Sequence, residues 1–285
     1  MARDVRAELA GVAVGDGLPV AVMGVVNVSP ESFHPGSIYR GEEVIVRAAL
    51  AMVDAGAVLI DVGARSTAPY LDADIGEERE SERLGRAVEL LAAKLPVPVS
   101  ADTCRPGPAR AALDAGARVI NDVSTLRDPA LAAVVASRSA GLVLMAAPPT
   151  GPGHRTARSP SPVAMVGDLL AAGLRRAAEA GIRSDRIVVD PGVGFFRDEA
   201  IPWDEWDVRI LAELPALRAL DRPIAVGVSR KSFIGAIVGR AETSERLAGS
   251  LAATAIAVVR GAALIRTHDV AETRDAVRVA ERMRR

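Results

Sequence analysis

The stretch VPVSADTCRPGPARAALDAGARVINDVS (97–124) reads as strand, helix, glycine stop and strand, and each strand ends abruptly in a polar residue, Asp102 and then Asn121. Short apolar runs bounded by turn signals have the length and composition of buried strands, and the Ala-, Leu- and Arg-rich segment between them has helical character. The same phrase recurs in both directions along the chain. PVAVMGVV (19–26) precedes Asn27, AVLI (57–60) precedes Asp61, and GLVL (141–144) precedes Met145. RIVV (186–189) leads to Asp190, IAVGV (224–228) to Ser229, and AALI (262–265) to Arg266. Buried strands alternating with helices imply a parallel sheet covered by helices. The eight-fold closed version is a (β/α)8 TIM barrel, in which all strand carboxyl ends converge on one ligand-binding face.

With 285 residues the chain is sized for a single barrel domain spanning 1–285, with a short N-terminal extension over 1–18. Within that region GVAVGDGLPVAV (11–22) resembles a small hairpin with glycine at its turn, able to cap the bottom of a barrel. EEVIVRAALAMVDAG (42–56) has helical apolar spacing and a glycine stop. The helix–glycine–strand phrase returns in ALDAGARVI (112–120) and AVVRGAALI (257–265), so Gly56, Gly116 and Gly261 are predicted to end helices in a left-handed conformation. Two connections are long: STAPYLDADIGEERESERL (66–84), whose charged half begins the next helix, and APPTGPGHRTARSPSPV (147–163), a predicted flexible loop.

Composition narrows the partner. Apolar residues make up 49% of the chain but aromatics only 3%, so the core is aliphatic. Lys+Arg (35) and Asp+Glu (36) nearly cancel, and no basic block exists to follow a nucleic-acid backbone. A small molecule is the better partner. Cys104 is alone, so there is no intrachain disulfide and no cysteine cluster for zinc. No apolar segment reaches the ~18 residues of a membrane span, and MARDVRAELAGVAVGDG (1–17) lacks the apolar core of a secretory signal. A soluble cytoplasmic protein is predicted.

The residues able to do chemistry stand at the run endings. Asp102, Asn121, Asp190 and Lys231 occur in VSADT, VINDVS, VVDPGVGF and VGVSRKS. Singly, Asp102 could cap a helix, Asn121 could bond loop backbone, and Lys231 could be solvated surface. Gathered at one mouth, two carboxylates, an amide and an ammonium suit a flat heterocycle with an amino-pyrimidinone edge. Arg266 and His268 stand two apart in LIRTHDV and could share one face as an anion receptor, although Arg266 could instead pair with Asp269. The loops DPGVGFFRD (190–198) and GVSRKSFIG (227–235) match neither a P-loop nor a dinucleotide fingerprint. Cys104 reads as an ordinary half-buried residue, and Trp203 and Trp206 as helix packing.

MGVVNVSPESF (23–33), IDVGARSTAPY (60–70), VSADT (99–103), INDVS (120–124), VVDPGVGF (188–195), GVSRKSFIG, ERLAGSLAATAIA (245–257) and IRTHDV (265–270) match, in order and spacing, one family. The chain resembles dihydropteroate synthases and the wider pterin-binding barrels. That resemblance implies a transferase of folate biosynthesis that joins 6-hydroxymethyl-dihydropterin diphosphate to an arylamine, p-aminobenzoate, and releases pyrophosphate. It implies that Asp102, Asn121, Asp190 and Lys231 hold the pterin ring, with Met145 and Phe195 packing near it. Asn27, Arg266 and His268 would hold the diphosphate, with magnesium at Asn27; Asp102, Lys231, Arg266 and His268 would be the catalytic set. Phe33, Ser66, Thr67, Pro69 and Ser232 would shape the amine site, and a homodimer is expected through the last helices.

Three loops depart from the family pattern. Where GGESTRPG is usual the chain has Gly63-Ala64-Arg65-Ser66-Thr67-Ala68-Pro69-Tyr70; where Met-His is usual it has Met145-Ala146; where SFSDGG is usual it has Ser32-Phe33-His34-Pro35-Gly36-Ser37. These fall on the loops around the leaving group and second substrate. Three alternatives therefore stand: a paralogue using a larger, ribosylated arylamine as in methanopterin-like pathways, a pterin-dependent methyltransferase, and a non-catalytic pterin binder.

Overall fold

The computed structural model describes residues 4–28, 42–65, 75–148, 161–197 and 201–284. Strands β1 (Arg6–Leu9) and β2 (Val12–Gly15) form an antiparallel hairpin. The next eight are β3 (Ala21–Asn27), β4 (Leu59–Gly63), β5 (Val99–Asp102), β6 (Val119–Asp122), β7 (Gly141–Met145), β8 (Ile187–Asp190), β9 (Ile224–Val226) and β10 (Ala262–Thr267). They close in the order β10-β3-β4-β5-β6-β7-β8-β9, every pair parallel. Every run singled out in the sequence is one of these strands. The chain is a (β/α)8 barrel with an N-terminal hairpin.

Helices α1 (Glu42–Asp54), α2 (Glu77–Ala92), α3 (Pro106–Asp114), α4 (Pro129–Ser137), α5 (Pro162–Glu179), α6 (Trp203–Ala212), α7 (Ser232–Val238), α8 (Leu247–Val259) and α9 (Val270–Met283) follow in chain order. Gly56, Gly116 and Gly261 take φ of 104°, 112° and 109° just past α1, α3 and α8, as predicted. The charged half of the first long connection is α2. Of the second, residues 149–160 lie outside the described residues, and Ser161 caps α5 by accepting from the Ala164 N–H.

Alternation along each strand sets up two cores. Val22, Val26, Ile60, Val62, Val99, Ala101, Ile120, Leu142, Leu144, Val189, Val226 and Ile265 face outward and pack with the helices. Met23, Leu59, Val119, Val143, Val188, Ala225 and Leu264 face inward and cluster with Ala7, Leu9 and Val14 of the hairpin. The hairpin therefore plugs the barrel at the strands' amino ends. Its turn differs from the prediction: it falls at Ala10 (φ 54°) and Gly11 (φ 88°) rather than within Gly15–Gly17. Gly15 closes β2 opposite Arg6, and Val20–Val22 belong to the barrel. The alternation of Ala7, Leu9 and Val14 into the barrel fixes the turn there. Among the described residues no helix is long and apolar enough to cross a membrane.

Candidate active site

Two residues above the inward apolar layer, the same strand parity delivers Asp61, Asp102, Asn121, Met145, Asp190 and Arg266 to the barrel's upper interior. Register puts Gly63 beside Asp102, Asp102 beside Asn121, and Met145 beside Asp190. Side chains then close the ring. Arg266 donates from Nε to Asp61 Oδ2 (2.7 Å) and from a terminal nitrogen to Asp102 Oδ2 (2.8 Å), while Asn121 Nδ2 donates to Asp61 Oδ2 (3.0 Å). Asp102 thus caps no helix, and Arg266 does not pair with Asp269, which is gripped in bidentate fashion by Arg230.

Two carboxylates share one guanidinium here, and both keep an unanswered acceptor: Asp61 Oδ1 and Asp102 Oδ1 are buried without a hydrogen-bond partner among the described residues. Buried polar groups are normally satisfied, so these oxygens mark where a ligand with N–H donors would dock. Burial raises Asp102 above the usual carboxylate range, opposed by Arg266 and reinforced by Asp61. Burial likewise lifts Asp190 to about 6, although its Oδ1 accepts from the Gly192 N–H (2.8 Å) and Lys231 and Arg266 lie near. Lys231, at the start of α7, is pulled down to about 8 by burial and Arg266, against the charges of Asp190 and Asp207. Its ammonium sits 4.4 Å from the Phe195 ring centroid. Phe195 accordingly packs under the lysine, while its neighbour Phe196 is the core residue, stacked on Trp206 with centroids 5.3 Å apart. Trp203 and Trp206 are packing residues, as read from sequence.

The residues expected to hold the diphosphate, Asn27, Arg266 and His268, stand at the ends of the neighbouring strands β3 and β10, with β9 on the other side of β10. His268 Nδ1 lies 3.0 Å from Ser229 Oγ, which orients the ring. Asn27 ends β3 beside Gly63, where a Cβ would stand 3.0 Å from Asn27 Oδ1; glycine keeps the space around that amide oxygen open. Among the described residues no group of three or more His, Cys, Asp or Glu could hold a metal. One hard amide oxygen in an open cradle fits a magnesium ion that takes its other ligands from phosphate and water. Of the residues expected at the amine site, Ser232 accepts from Arg197 at 2.5 Å, and Phe33, Ser66, Thr67 and Pro69 lie outside the described residues.

Sequence reasoning passed over several members. Asp61 was visible as a run ending but received no role. Glu80 of α2, buried, accepts from Thr103 (2.6 Å) and Arg105 (2.9 Å) and faces Arg65 Nε at 3.5 Å, tying the tops of β4 and β5 together. Arg65, which replaces the family's usual Glu, also reaches the half-buried Cys104 Sγ at 3.5 Å. Ala146, replacing a usual His, bonds through its backbone N–H to Asp190 O (2.8 Å).

The family model described as pterin binding enzyme matches residues 23–268. The chain is 36% identical to the dihydropteroate synthase of Escherichia coli K12, covering 91% of this chain and 90% of that protein. It is 40% identical, over 91% of its length, to a probable bifunctional folylpolyglutamate synthase/dihydropteroate synthase of Haloferax volcanii, of which it spans 30%. Among solved structures it is similar to Xanthomonas albilineans dihydropteroate synthase with 4-aminobenzoic acid, at 38% identity and a TM-score of 0.84, covering 99% and 98% of the two chains.

Proposed function

This chain belongs to the pterin binding enzyme family, and from that premise we infer that it is a dihydropteroate synthase, a transferase of folate biosynthesis. It condenses 6-hydroxymethyl-7,8-dihydropterin diphosphate with p-aminobenzoate to give dihydropteroate and pyrophosphate. The observation that carries this reading is the convergence of Asp61, Asp102, Asn121, Asp190, Lys231 and Arg266 on one barrel mouth, with acceptor oxygens left over.

The chemistry follows from the charges. The pterin methylene–oxygen bond breaks, its electron pair leaving with the diphosphate; the arylamine nitrogen forms the new carbon–nitrogen bond and loses a proton. Asp102 and Asp190 accept from the amino and ring N–H groups of the pterin, and Lys231 donates to its carbonyl edge. Buried carboxylates facing the ring also favour the positive charge that develops on the methylene. Arg266 and His268 hold the departing diphosphate. A magnesium ion at Asn27 would neutralise phosphate charge. No protein nucleophile is needed. Ser232, on its tether to Arg197, borders the amine site; Phe33, Ser66, Thr67 and Pro69, which the family resemblance assigns to the same site, lie outside the described residues.

The test is pyrophosphate release from dihydropterin diphosphate, Mg²⁺ and p-aminobenzoate. Release with the ribosylated aminobenzene but not with p-aminobenzoate would replace the amine in this reading; pterin binding without any release would leave a binding protein. We propose that the chain assembles as a homodimer. Ile237 and Val238 of α7, Ile256 and Val259 of α8, and Val279 and Met283 of α9 are exposed apolar residues on one run of helices, and such faces usually meet a partner. Ile256→Glu should sediment as a monomer; a wild-type monomer would remove the dimer.

A further inference from the structure

Outside the ring of pocket side chains, α6 carries a buried acid with no role in the reaction above. Asp207 is fully buried. Its Oδ1 accepts from the Gly194 N–H at 2.7 Å, and its Oδ2 has no hydrogen-bond partner among the described residues. Gly194 has φ of 85°, and a Cβ there would stand 2.9 Å from Lys231 Cδ. The Gly194 turn is thus pressed against the lysine stem, with the Phe195 ring beneath its ammonium. One residue earlier on α6, Trp206 stacks on Phe196 of the same loop. The helix therefore grips the loop at two adjacent points.

We infer that Asp207 is a positioning residue for Lys231: through its bond to the Gly194 N–H it locks the turn that presses against the lysine stem. The inference rests on the placement of Lys231 in the pterin pocket. When a pterin takes the Asp190 carboxylate, Asp207 remains as a nearby acid that acts on the lysine charge. The groups acting on the ammonium are Asp190 from β8 and Asp207 from α6, which favour its charge, and Arg266 from β10 and Arg197 from the β8 loop, which oppose it. Burial lifts Asp207 to about 6, against the Gly194 bond and the charges of Lys231 and Arg197 and with Asp204 adding to the rise. Both partners thus resist ionising alone, and each stabilises the other's charge.

The chain's composition makes the test direct. Lys94 and Lys231 are the two lysines, so a Lys94→Arg background leaves one lysine signal in a protein labelled with ¹³C- and ¹⁵N-lysine. Asp207→Asn keeps an acceptor for Gly194 but removes the charge. The Lys231 titration midpoint should fall by about one pH unit, as expected for losing one nearby opposite charge, and the alkaline limb of kcat/KM should move with it. Asp207→Glu, which keeps the charge, should hold the midpoint near wild type. An unchanged midpoint in Asp207→Asn overturns the inference, whatever the reaction proves to be, since no substrate enters the measurement. Should Asp207→Asn not fold, Gly194→Ala drives a methyl group into the lysine stem; an unmoved Lys231 resonance there overturns it equally.

Discussion

The two ends of the barrel solve opposite problems with the same strands. At the amino ends, inward positions carry Met23, Leu59, Val119, Val143, Val188 and Leu264, sealed by Leu9 and Val14 of the hairpin. Two residues further along, the same parity carries Asp61, Asp102, Asn121, Asp190 and Arg266. The acids at the two ends respond to their surroundings in opposite directions. Asp16, beside the plug, accepts from both terminal nitrogens of Arg218 (2.9 and 2.5 Å) and from the Val5 N–H (2.9 Å), and the Arg218 bond draws it below its usual range. Asp102 and Asp190 at the mouth, and Asp207 on α6 behind it, are pushed upward by burial. The plug satisfies its charges and gains stability from them. The mouth leaves acceptors unanswered, and what it forgoes in stability is recovered when a ligand binds.

The sharpest way to break this contrast is Arg266→Ala. Removing one partner of a buried ion pair costs about 3–5 kcal/mol because the remaining charge is stranded, and here two carboxylates lose the same cation. Thermal unfolding at pH 7 should show that loss, with partial recovery at pH 5 as Asp102, raised by burial, protonates, and pyrophosphate release should fall to background. Equal stability to wild type at pH 7 would mean that Arg266 does not compensate the charges of Asp61 and Asp102. Leu9→Ala tests the other end. Truncating a fully buried leucine costs about 2–5 kcal/mol, so the melting temperature should drop while pterin affinity, measured by calorimetry at a temperature where the variant is folded, stays at the wild-type value. A parallel loss of affinity would show that the ends are coupled.

How much of this was legible follows the same division. The barrel could be read because parallel strands buried on both faces appear as apolar runs, and an abrupt polar ending marks the exit of each run into the mouth. Asp102, Asn121, Asp190 and Arg266 were found that way. Partnerships were not legible, since they depend on which strand ends close in space. Arg266 reaches Asp61 and Asp102 from 205 and 164 residues away, whereas the nearer Asp269 pairs with Arg230. Glu80 and Asp207 were missed because each sits on a helix face, where an acid in an otherwise polar segment looks solvated. The hairpin's existence was legible but its register was not, because Gly11, Gly15 and Gly17 offer competing turns. Only the barrel interior, by accepting Leu9, chooses among them.

Smaller effects sharpen the contrast further. Asp190→Asn should cost about 1–3 kcal/mol of pterin binding, the penalty for a mismatched buried polar contact, and calorimetry at pH 7 reads it. In the wild type the pH dependence has a defined sign. A carboxyl raised from 3.8 to about 6 in the fold binds more protons folded than unfolded between about pH 4 and 6. The contribution of Asp190 to the stability of the free protein therefore falls as pH rises through that window. Pterin affinity should rise over the same window, because the ligand's N–H donors need the ionised form. Affinity that is flat from pH 5 to 7 would remove Asp190 as an acceptor.

The smallest expected effect lies at the plug. Asp16 and Arg218 form a bidentate pair, but the side chain of Arg218 is 50% exposed and that of Asp16 20%, so solvent screens much of the attraction. Asp16→Ala should lower stability by under about 1 kcal/mol at pH 7. The sign with pH is the reverse of the mouth's. The folded carboxyl lies below 3.8, so its contribution is complete above the unfolded value and is lost only as pH falls through the folded one. The difference between wild type and Asp16→Ala should accordingly stay constant from pH 5 to 8 and shrink below pH 4. A difference that grows toward neutral pH from 5 would mean Asp16 behaves as a buried, strained acid, and the two ends of the barrel would then share one electrostatic logic rather than two.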